Sequence, residues 1–386
     1  MKNQFPVDIL KKIQTPFYYY DTALLHETLE IVKKETEKYD KCRLHYAVKA
    51  NVNPKILSII SSYGFGADCV SGGEIKAALQ AGFPADKIVY AGVGKADWEI
   101  NLGLDSEIFC FNVESMAELK IIEELAAAKG KIASIALRIN PEVKADTHRY
   151  ITTGLMENKF GINLDKLDGV LDLLTELSHV KLIGLHFHIG SQIVDLSSFV
   201  GLSIRINEIQ QKLFARRIIV DHINVGGGFG INYTHPEKQP IPDFESYFAI
   251  FNKHLQRSSD QSLYFELGRS IVGQCGNLIT KVLYVKEGSF KKFAIVDAGM
   301  TELIRPALYE AYHKIENISS DLPVEKYDVV GPVCESSDCF GKEQDLNATQ
   351  RNDLIVLRSA GAYGEIMASQ YNCRSLPKAY FSDELI

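Results

Sequence analysis

The first feature of this sequence that could support chemistry is a lysine at the end of an apolar run. Lys49 directly follows the largely apolar residues 44–48. An amine that is partly removed from water has a lowered pKa, so its neutral, nucleophilic form becomes available for Schiff-base formation. For this residue alone, a surface lysine at a strand end is the alternative interpretation.

Three further motifs end apolar runs in the same way. Gly226-Gly227-Gly228 removes side chains at three positions, so that backbone N–H groups could approach a phosphate. Glu266 closes an apolar run, where a carboxylate needs a cationic or proton-donating partner. His188 ends the run that begins at Leu182. Singly, these motifs are also typical of a flexible loop, a structural salt bridge and a core histidine, but their joint position at run ends favours a shared site.

The runs that carry these residues alternate with segments of helical period, as in a parallel sheet covered by helices. Eight β-rich runs are present: Leu44–Val48, Gly66–Val70, Ile88–Ala91, Glu107–Asn112, Ser134–Ile139, Leu182–His188, His222–Val225 and Leu263–Glu266. The helical segments include Gly73–Ala81, Ser115–Ala128, Leu164–Leu177 and Phe244–Leu255. This pattern predicts an α/β fold, a TIM-like (β/α)8 barrel, whose C-terminal strand ends meet at one mouth. An open doubly wound sheet is the alternative, but Lys49-Ala50-Asn51 stands where its glycine-rich dinucleotide loop would be.

Beyond Gly268 the pattern changes to strands joined by turns. The predicted strands are Asn277–Val285, Lys292–Asp297, Lys326–Val330 and Asp353–Ser359, which indicate a C-terminal, mostly β domain of sandwich or barrel type. The aromatic segment Thr15–Tyr20 is also strand-like and is predicted to join that domain. We therefore predict a barrel domain over residues 21–268, and a β domain made of residues 1–20 and 269–386.

Composition restricts the partners of the chain. Lys and Arg total 42 against 49 Asp and Glu, so the net charge of -7 gives no reason to expect nucleic acid or an anionic membrane. The sequence shows neither a secretion signal at Met1–Leu10 nor an apolar run of membrane-spanning length. Its seven scattered cysteines lack the CxxC spacing of a zinc site and fit a reducing compartment. We expect a cytoplasmic protein without a metal, in which most cysteines are buried and Cys334 is an exception.

The ordered set of motifs resembles the fold-type III pyridoxal-phosphate-dependent decarboxylases, and within them the branch that acts on diaminopimelate. The resemblance covers nearly the whole chain, and the matching motifs are Tyr46–Asn51, Ala67–Glu74, Arg138–Pro141, Thr147-His148, Lys159–Gly161, His186–Ser191, Gly226–Gly228, Glu266–Arg269, Cys334–Ser336 and Gly361–Gly364. The stretch Met367–Asn372 departs from the family pattern, which puts fine substrate preference in doubt more than the reaction. The resemblance also implies a homodimer whose active sites are completed across the interface.

The resemblance implies a role for each site residue. Lys49 and Cys334 are the implied catalytic residues, with Cys334 as proton donor. The implied residues for pyridoxal phosphate are Lys49, Asp68, His188, Ser191, Gly227, Gly228, Glu266, Gly268, Arg269 and Tyr363. The implied residues for substrate are Arg269, Arg305, Tyr309, Glu335 and Tyr363. Glu266 is expected to pair with the protonated ring nitrogen, which keeps the ring able to accept electrons.

The far end of the substrate distinguishes the decarboxylases. Diaminopimelate ends in an amine and a carboxylate, and the carboxylate calls for arginine, whereas ornithine ends in an ammonium alone. Arg269 and Arg305 therefore favour diaminopimelate, and its decarboxylation to lysine in lysine biosynthesis is the expected function. A decarboxylase of another basic amino acid and an amino-acid racemase of the same fold remain open, as does a non-catalytic homologue.

Overall fold

The computed structural model describes residues 5–143 and 159–385, and the chain divides into two compact units. The barrel unit contains Leu29–Gly230 and Asp243–Gly268, and the sheet unit contains Met1–Thr28, Ile231–Pro242 and Arg269–Ile386. This division differs from the predicted domains at residues 21–28 and 231–242, which both belong to the sheet unit. The segment Ile231–Pro242 lies between two barrel strands in the sequence and nevertheless folds with the other unit.

Eight parallel strands close into a barrel, which confirms the predicted fold class. The strands are β2 (Cys42–Ala47), β3 (Gly66–Cys69), β4 (Ile88–Tyr90), β5 (Cys110–Val113), β6 (Ala133–Arg138), β7 (Val180–His186), β8 (His222–Asn224) and β9 (Ser262–Leu267). Closure occurs at β2, where His45 is in register with Gly66 on one side and with Glu266 on the other. The run predicted from Glu107 starts later, at Cys110, because Glu107 ends the preceding helix with a positive φ of 55°.

The helices of the barrel region follow the strands as the sequence pattern predicts. They are α2 (Thr22–Glu37), α3 (Pro54–Ser62), α4 (Gly72–Gln80), α5 (Asp97–Ser106), α6 (Met116–Ala128), α7 (Leu167–Leu174), α8 (Ser197–Ala215) and α9 (Phe244–His254), with 3-10 turns at Val48–Ala50, Ala85–Lys87 and Leu164–Lys166. Two of them start with the same cap: Ser71 accepts from the N–H of Glu74, and Ser115 accepts from the N–H of Glu118. This S-x-x-E spacing fixes the start of each helix directly after its strand.

The sheet unit is built on an eight-stranded mixed sheet. Its strands are β1 (Phe17–Tyr20), β10 (Gly276–Glu287), β11 (Lys292–Val296), β12 (Ile315–Asn317), β13 (Val324–Val330), β14 (Cys339–Asn347), β15 (Leu354–Leu357) and β16 (Lys378–Phe381). Six of them run in the order β12-β15-β10-β11-β13-β14, and β1 pairs with both β10 and β16. The short helices are α1 (Val7–Leu10), α10 (Arg269–Val272) and α11 (Arg305–Tyr309), with 3-10 turns at Glu365–Met367, Tyr371–Cys373 and Ser382–Glu384.

The N-terminal strand joins this sheet, as its aromatic sequence predicts. All four residues of β1 are buried, and Phe17 is in register with Ile279 of β10. Phe17 and Ile279 belong to an apolar core cluster that also includes Leu10 and Val356. Burial of these side chains therefore holds the N-terminus in the sheet unit. Within the described residues, no helix is both long enough and apolar enough to cross a membrane.

Candidate active site

Lys49 lies in the 3-10 turn Val48–Ala50, directly after β2. Both of its neighbours in the turn are fully buried, whereas its own side chain is 39% exposed. Its Nζ atom lies 3.7 Å from Oδ2 of Asp68, near the C-terminal end of β3. The barrel mouth thus presents an accessible amine beside a buried carboxyl group.

The Asp68 carboxyl group is only 1% exposed, and its environment favours the neutral acid. Burial and the nearby charge of Glu266 raise its pKa from 3.8 to about 8, and Lys49 offsets this only in part. Asp68 therefore holds a proton near neutral pH, so its contact with Lys49 is that of an acid close to an amine rather than a fixed ion pair. Its other oxygen, Oδ1, is buried and has no hydrogen-bond partner in the described part of the chain.

A second carboxylate, Glu266 of β9, is held inside the barrel by three donors, which come from strands β5, β7 and β8. Its Oε2 lies 2.9 Å from Nε2 of His186, and its Oε1 accepts from Nδ2 of Asn224 at 2.7 Å and from Nδ2 of Asn112 at 3.4 Å. Burial alone would raise the pKa of Glu266, but His186, Lys49 and His188 outweigh it, so the pKa is lowered. We call these four residues, Glu266, His186, Asn224 and Asn112, the Glu266 cluster; it keeps an ionised carboxylate in the barrel interior.

Asn224 connects the Glu266 cluster to the glycine loop. Its Nδ2 donates to Glu266, and its Oδ1 accepts from the N–H of Gly226 at 2.9 Å. One fully buried amide side chain, 1% exposed, therefore fixes the carboxylate and the start of the loop together. The N–H of Gly226 is consequently engaged within the protein.

The triple glycine is required by the geometry of this loop. Gly226 and Gly228 have positive φ values of 71° and 99°, and a Cβ atom on Gly227 would come within 1.8 Å of the Glu266 carbonyl oxygen. The N–H of Gly227 donates to Nδ1 of His188 at 3.3 Å. That contact requires an unprotonated Nδ1, in agreement with the pKa of His188, which burial and the charge of Lys49 lower well below its usual value.

Two other predicted cofactor residues border the same mouth. Gly268 packs against the turn that holds Lys49, since a Cβ atom there would come within 2.9 Å of the Ala50 Cβ. Ser191 lies in the segment after β7, next to Gly190, whose carbonyl oxygen closely approaches Gly228. Lys49, Asp68, His188, Ser191, Gly227, Gly228, Glu266 and Gly268 therefore all lie at the C-terminal strand ends of one barrel unit.

The sheet unit brings together the two predicted substrate arginines around a tyrosine. Nη1 of Arg269 lies 2.6 Å, and Nη1 of Arg305 lies 2.7 Å, from the phenol oxygen of Tyr233. Arg305 also donates to Nε2 of His313 at 3.1 Å, and Nδ1 of His313 donates to the carbonyl of Arg358 at 2.9 Å. Arg269 and Arg305 are 7% and 5% exposed. We call Arg269, Arg305, Tyr233 and His313 the arginine cluster.

Tyr363 and Tyr309 belong to the same unit. The guanidinium carbon of Arg269 lies 4.8 Å from the ring centroid of Tyr363, which has a positive φ of 57°. Such a backbone conformation is uncommon for a tyrosine and is typical of functional sites. Tyr309 ends α11, the helix that begins with Arg305.

Cys334 and Glu335 lie in the loop between β13 and β14, and both are exposed. The loop is held by Asp338, which is 4% exposed and accepts from the N–H of Val333 at 2.7 Å and from the N–H of Met300 at 2.6 Å. Glu335 accepts from the hydroxyl of Tyr371 at 2.7 Å. Cys334 is therefore not one of the buried cysteines, whereas Cys42, Cys69, Cys110 and Cys275 are buried as expected. Cys373 is a second exposed cysteine that the sequence did not single out.

Of the remaining family motifs, the one that begins at Arg138 lies within the described residues. Arg138 pairs with Glu114 at 2.9 Å, and Glu114 also accepts from the N–H groups of Gly92 and Gly161, so this motif braces neighbouring barrel segments. The motif Thr147-His148 lies outside the described residues.

Five residues of the two clusters, Asn112 among them, carried no role in the sequence interpretation. His186 and Asn224 each precede a recognised residue, His188 or Gly226, by two positions, and residues two apart on a strand share a face. That spacing was a usable signal for both. Tyr233 and His313 gave no comparable signal, because their contacts depend on how distant segments of the sheet unit fold together.

Comparison with known proteins agrees with this geometry. A family model described as the pyridoxal-binding domain of pyridoxal-dependent decarboxylases matches residues 25–273. The matched segment includes all eight barrel strands, with the amine, the ionised carboxylate and the glycine loop at their ends. The fold and the barrel mouth therefore define a pyridoxal-phosphate-dependent decarboxylase, and pyridoxal phosphate is its cofactor.

Comparison with individual relatives shows to which family of pyridoxal-dependent decarboxylases the chain belongs. The chain is 66% identical to the diaminopimelate decarboxylase of Bacteroides thetaiotaomicron over 386 residues, which is 100% of both chains. It is 42% identical to that of Neisseria meningitidis serogroup B over 362 residues, 94% of this chain and 86% of the relative. The crystal structure of diaminopimelate decarboxylase from Helicobacter pylori complexed with L-lysine matches with a TM-score of 0.90 at 41% identity, covering 97% of this chain and 93% of that chain. The chain belongs to the diaminopimelate decarboxylase family.

The barrel mouth fits pyridoxal phosphate on its own evidence. The accessible Lys49 amine can take the cofactor aldehyde, and the ionised Glu266 can take a protonated ring nitrogen. The glycine loop, in which side chains are excluded, leaves room for a phosphate group at the backbone. The buried oxygen of Asp68 that lacks a partner among the described residues offers one more polar contact.

Proposed function

We propose that this chain decarboxylates meso-diaminopimelate to lysine and carbon dioxide as a step of lysine biosynthesis. The full-length similarity to diaminopimelate decarboxylases supports the reaction. The observation that carries the substrate assignment is the buried Arg305, which contacts a phenol and an imidazole instead of a carboxylate among the described residues. A buried guanidinium of this kind favours a substrate that brings its own carboxylate.

Each barrel residue has a task in this proposal. When bound, pyridoxal phosphate supplies an electron sink for the bond pair that departing carbon dioxide leaves behind. Lys49 holds the cofactor covalently, and Glu266 keeps a proton on the ring nitrogen because its own carboxyl group stays ionised. Asp68, with a pKa of about 8, is suited to exchange a proton with the Lys49 amine near neutral pH. His188, whose Nδ1 accepts from the N–H of Gly227, would contact the ring of the cofactor.

The phosphate is assigned first to the glycine loop. Gly228 and Ser191 would supply a backbone and a hydroxyl donor, Gly227 would contribute by its missing side chain because its N–H is held by His188, and Gly268 keeps the neighbouring turn free of a side chain. Arg269 and Tyr363, which stack on each other in the sheet unit, remain predictions for the phosphate that rest on the family resemblance.

The distal end of the substrate is assigned to the sheet unit. Arg269 and Arg305 take the distal carboxylate, with Tyr309 and Tyr363 as further contacts, and Glu335 takes the distal ammonium. The geometry that supports this assignment is the arginine cluster, which holds two guanidinium groups against one phenol oxygen. Glu335 is exposed, and its partner in the described part of the chain is the hydroxyl group of Tyr371, which carries no compensating charge, so the carboxylate is available to an ammonium.

Cys334 is proposed as the proton donor to the carbon that loses carbon dioxide, in a homodimer with shared sites. A thiol can give up and regain a proton near neutral pH. The exposure of Cys334 in a single chain supports a role towards a second subunit, because Asp338 fixes the loop while the thiol remains accessible.

Complementation tests the shared site. Lys49→Ala and Cys334→Ala are each expected to be inactive as homodimers, and mixing them should restore activity because a mixed dimer contains one intact site. Size-exclusion chromatography of differently tagged chains verifies subunit exchange. If exchange occurs without recovery, each site is built within one chain.

We also propose a cytoplasmic location. All seven cysteines are free thiols, as expected in a reducing compartment. Fractionation of expressing cells should recover the enzyme with cytoplasmic markers, and recovery with periplasmic or membrane markers would contradict this location.

The reaction itself is tested by carbon dioxide release. Purified protein is incubated with meso-diaminopimelate, ornithine, arginine or lysine, and only meso-diaminopimelate should be turned over rapidly, with lysine as product. Lys49→Ala is the control for cofactor attachment, and borohydride reduction of the wild type should label Lys49. Faster turnover of ornithine or lysine would reject the substrate assignment, and racemised substrate without carbon dioxide would indicate the racemase.

A further inference from the structure

Tyr233 is the centre of the arginine cluster, and nothing in the sequence pattern assigns it a function. It lies in Ile231–Pro242, the segment that leaves the barrel sequence to fold with the sheet unit. A guanidinium group only donates hydrogen bonds, so the phenol oxygen accepts from both Arg269 and Arg305. Tyr233 therefore determines how far apart the two cations lie.

The arrangement around this oxygen is unusual for a phenol. A neutral phenol must also donate its proton, but within the described residues its hydrogen-bond partners are these two donors. The pKa of Tyr233 is lowered, because Arg269 and Arg305 outweigh the burial that would raise it.

The neighbouring histidine adds no charge of its own. His313 meets the Tyr233 ring edge-on at 5.2 Å, and burial together with Arg305 lowers its pKa to about 3. Because its Nδ1–H donates to the Arg358 carbonyl, its Nε2 is left to accept from Arg305. Arg305 is thus oriented from two sides by groups that leave its positive charge largely unbalanced.

Two other arginines of the sheet unit differ from Arg305 in that each is paired with a carboxylate. Arg358 pairs with Glu316 at 3.0 Å, and Arg374 pairs with Glu302 at 3.2 Å. These two guanidinium groups have carboxylate partners within the unit, whereas Arg305 is held by Tyr233 and His313. The cluster is therefore arranged to orient a cation without neutralising it through a carboxylate.

We propose that Tyr233 is a specificity-determining positioning residue, which holds Arg269 and Arg305 side by side for the distal carboxylate of the substrate. The inference rests on the proposed substrate, because it needs a ligand with a carboxylate at the end remote from the reacting carbon. A planar carboxylate can accept from two guanidinium groups held in this way. Tyr233 acts through the arginines and is not assigned contact with the substrate.

The test compares two ligands that differ by one carboxylate. Lysine, the expected product, keeps the distal carboxylate after the other carboxylate has been lost. Cadaverine, the decarboxylated counterpart of lysine, has no carboxylate. In the holoenzyme Tyr233→Phe should weaken lysine binding on the order of tenfold, the effect of losing a hydrogen bond to a charged group, and should leave cadaverine binding unchanged. Calorimetry measures both affinities. Tyr284→Phe, which removes an exposed phenol hydroxyl from the same unit, is the matched control and should change neither.

Turnover provides a second readout. Tyr233→Phe should raise the KM for meso-diaminopimelate more than it lowers kcat, and Tyr233→Gln, which restores an oxygen acceptor, should recover part of the lysine affinity. If the circular dichroism spectrum shows that Tyr233→Phe does not fold, the affinities of Tyr233→Gln for lysine and cadaverine are compared with those of the wild type instead. An equal loss for lysine and cadaverine, or no loss for either, overturns the proposal.

Failure of the proposed reaction gives a different result. A wild type that releases no carbon dioxide from meso-diaminopimelate rejects the reaction, whereas the lysine and cadaverine affinities are measured without turnover. Selective loss of lysine binding in Tyr233→Phe would then still establish the positioning role.

Discussion

The Glu266 cluster and the arginine cluster hold charges of opposite sign in opposite ways. Glu266 is an anion surrounded by donors from strands β5, β7 and β8, so its charge is stabilised within the barrel unit itself. The arginine cluster holds two cations around a phenol and an imidazole, and Arg305 finds no carboxylate among the described residues. The charge of Glu266 is therefore compensated within the protein, whereas Arg305 is oriented by two groups that are not carboxylates.

This difference indicates a division of tasks. A carboxylate fixed by three rigid strands suits a cofactor that must be held in one orientation in every cycle. Arg305 lies on a short helix and has no carboxylate partner among the described residues, which suits the recognition of a substrate that brings the compensating charge. Variants in the two clusters should accordingly differ in which kinetic constant changes and in which substrates are affected.

The largest effect is expected for Glu266→Gln. The substitution keeps the shape of the side chain but removes the anion that holds a proton on the cofactor ring. We expect kcat to fall by about 10²–10³, as for removal of a preorganised electrostatic contact, and to fall equally for every amino acid that is turned over. Steady-state kinetics measures this. A loss confined to meso-diaminopimelate would mean that Glu266 recognises substrate, which would remove the contrast between the clusters.

Arg305→Ala is the corresponding change in the arginine cluster. Removing one partner of a buried charge pair costs roughly 2–5 kcal/mol, so kcat/KM for meso-diaminopimelate should fall on the order of a hundredfold or more. Any weak turnover of ornithine or lysine should fall much less, because as substrates they present their single carboxylate at the reacting carbon and have none at the distal end. Arg351→Ala, at an exposed position of the same unit, is the control. Equal losses on all substrates would assign Arg305 to structure or cofactor binding.

Two asparagines offer a finer test within the Glu266 cluster. Asn224 donates to Glu266 at 2.7 Å and also holds Gly226, whereas Asn112 donates at a longer 3.4 Å. Asn224→Ala should therefore weaken cofactor binding by about tenfold, as expected for a lost hydrogen bond to a charged group, and Asn112→Ala should have a smaller effect. Titration of the cofactor-free variants with pyridoxal phosphate measures both. Equal effects would mean that the link to the glycine loop is unimportant.

The sequence predicted the scaffold because strand and helix periodicity are local properties. All eight predicted runs overlap barrel strands, and the strand ends place Lys49, His188, the glycine loop and Glu266 at one mouth. The start of β5 was predicted too early, at Glu107. That residue caps the end of α5 in a left-handed conformation with a positive φ, which the apolar pattern does not reveal.

The hydrogen-bond partners of the site could not be predicted in the same way. Asn224 and Glu266 are distant in sequence and meet only because β8 and β9 are neighbours in a particular register. The segment that carries Tyr233 was assigned to the barrel by its position in the sequence, whereas it folds with the sheet unit. Contacts of this kind depend on tertiary register rather than on local pattern, so the clusters emerged only from the structure.

The last comparison is between the neutral carboxyl group of Asp68 and the ionised Glu266 nearby, and its expected effect is on stability rather than on turnover. Its pKa rises from 3.8 to about 8 on folding, chiefly through burial and the charge of Glu266. A raised pKa gives a stability contribution that is complete below about pH 4 and is lost as the pH rises through about 8. Asp68→Asn stays neutral and avoids that loss. The cofactor-free variant should therefore gain thermal stability relative to wild type as the pH increases, with little difference below about pH 4, a growing difference between about pH 4 and 8, and a constant, largest difference above about pH 8.

The comparison of Asp68→Asn with wild type at each pH cancels the contributions of other titrating groups, including the buried histidines. Asp195→Asn is the matched control, because hydrogen bonds from Ser197 lower the pKa of that exposed carboxyl group, so its removal should bring no gain at high pH. Thermal unfolding monitored by circular dichroism gives the melting temperatures. A difference for Asp68→Asn that does not change with pH would mean that Asp68 is ionised throughout, as the partner of Lys49 in a permanent ion pair. The barrel mouth would then hold two carboxylates, and the proton exchange assigned to Asp68 would be lost.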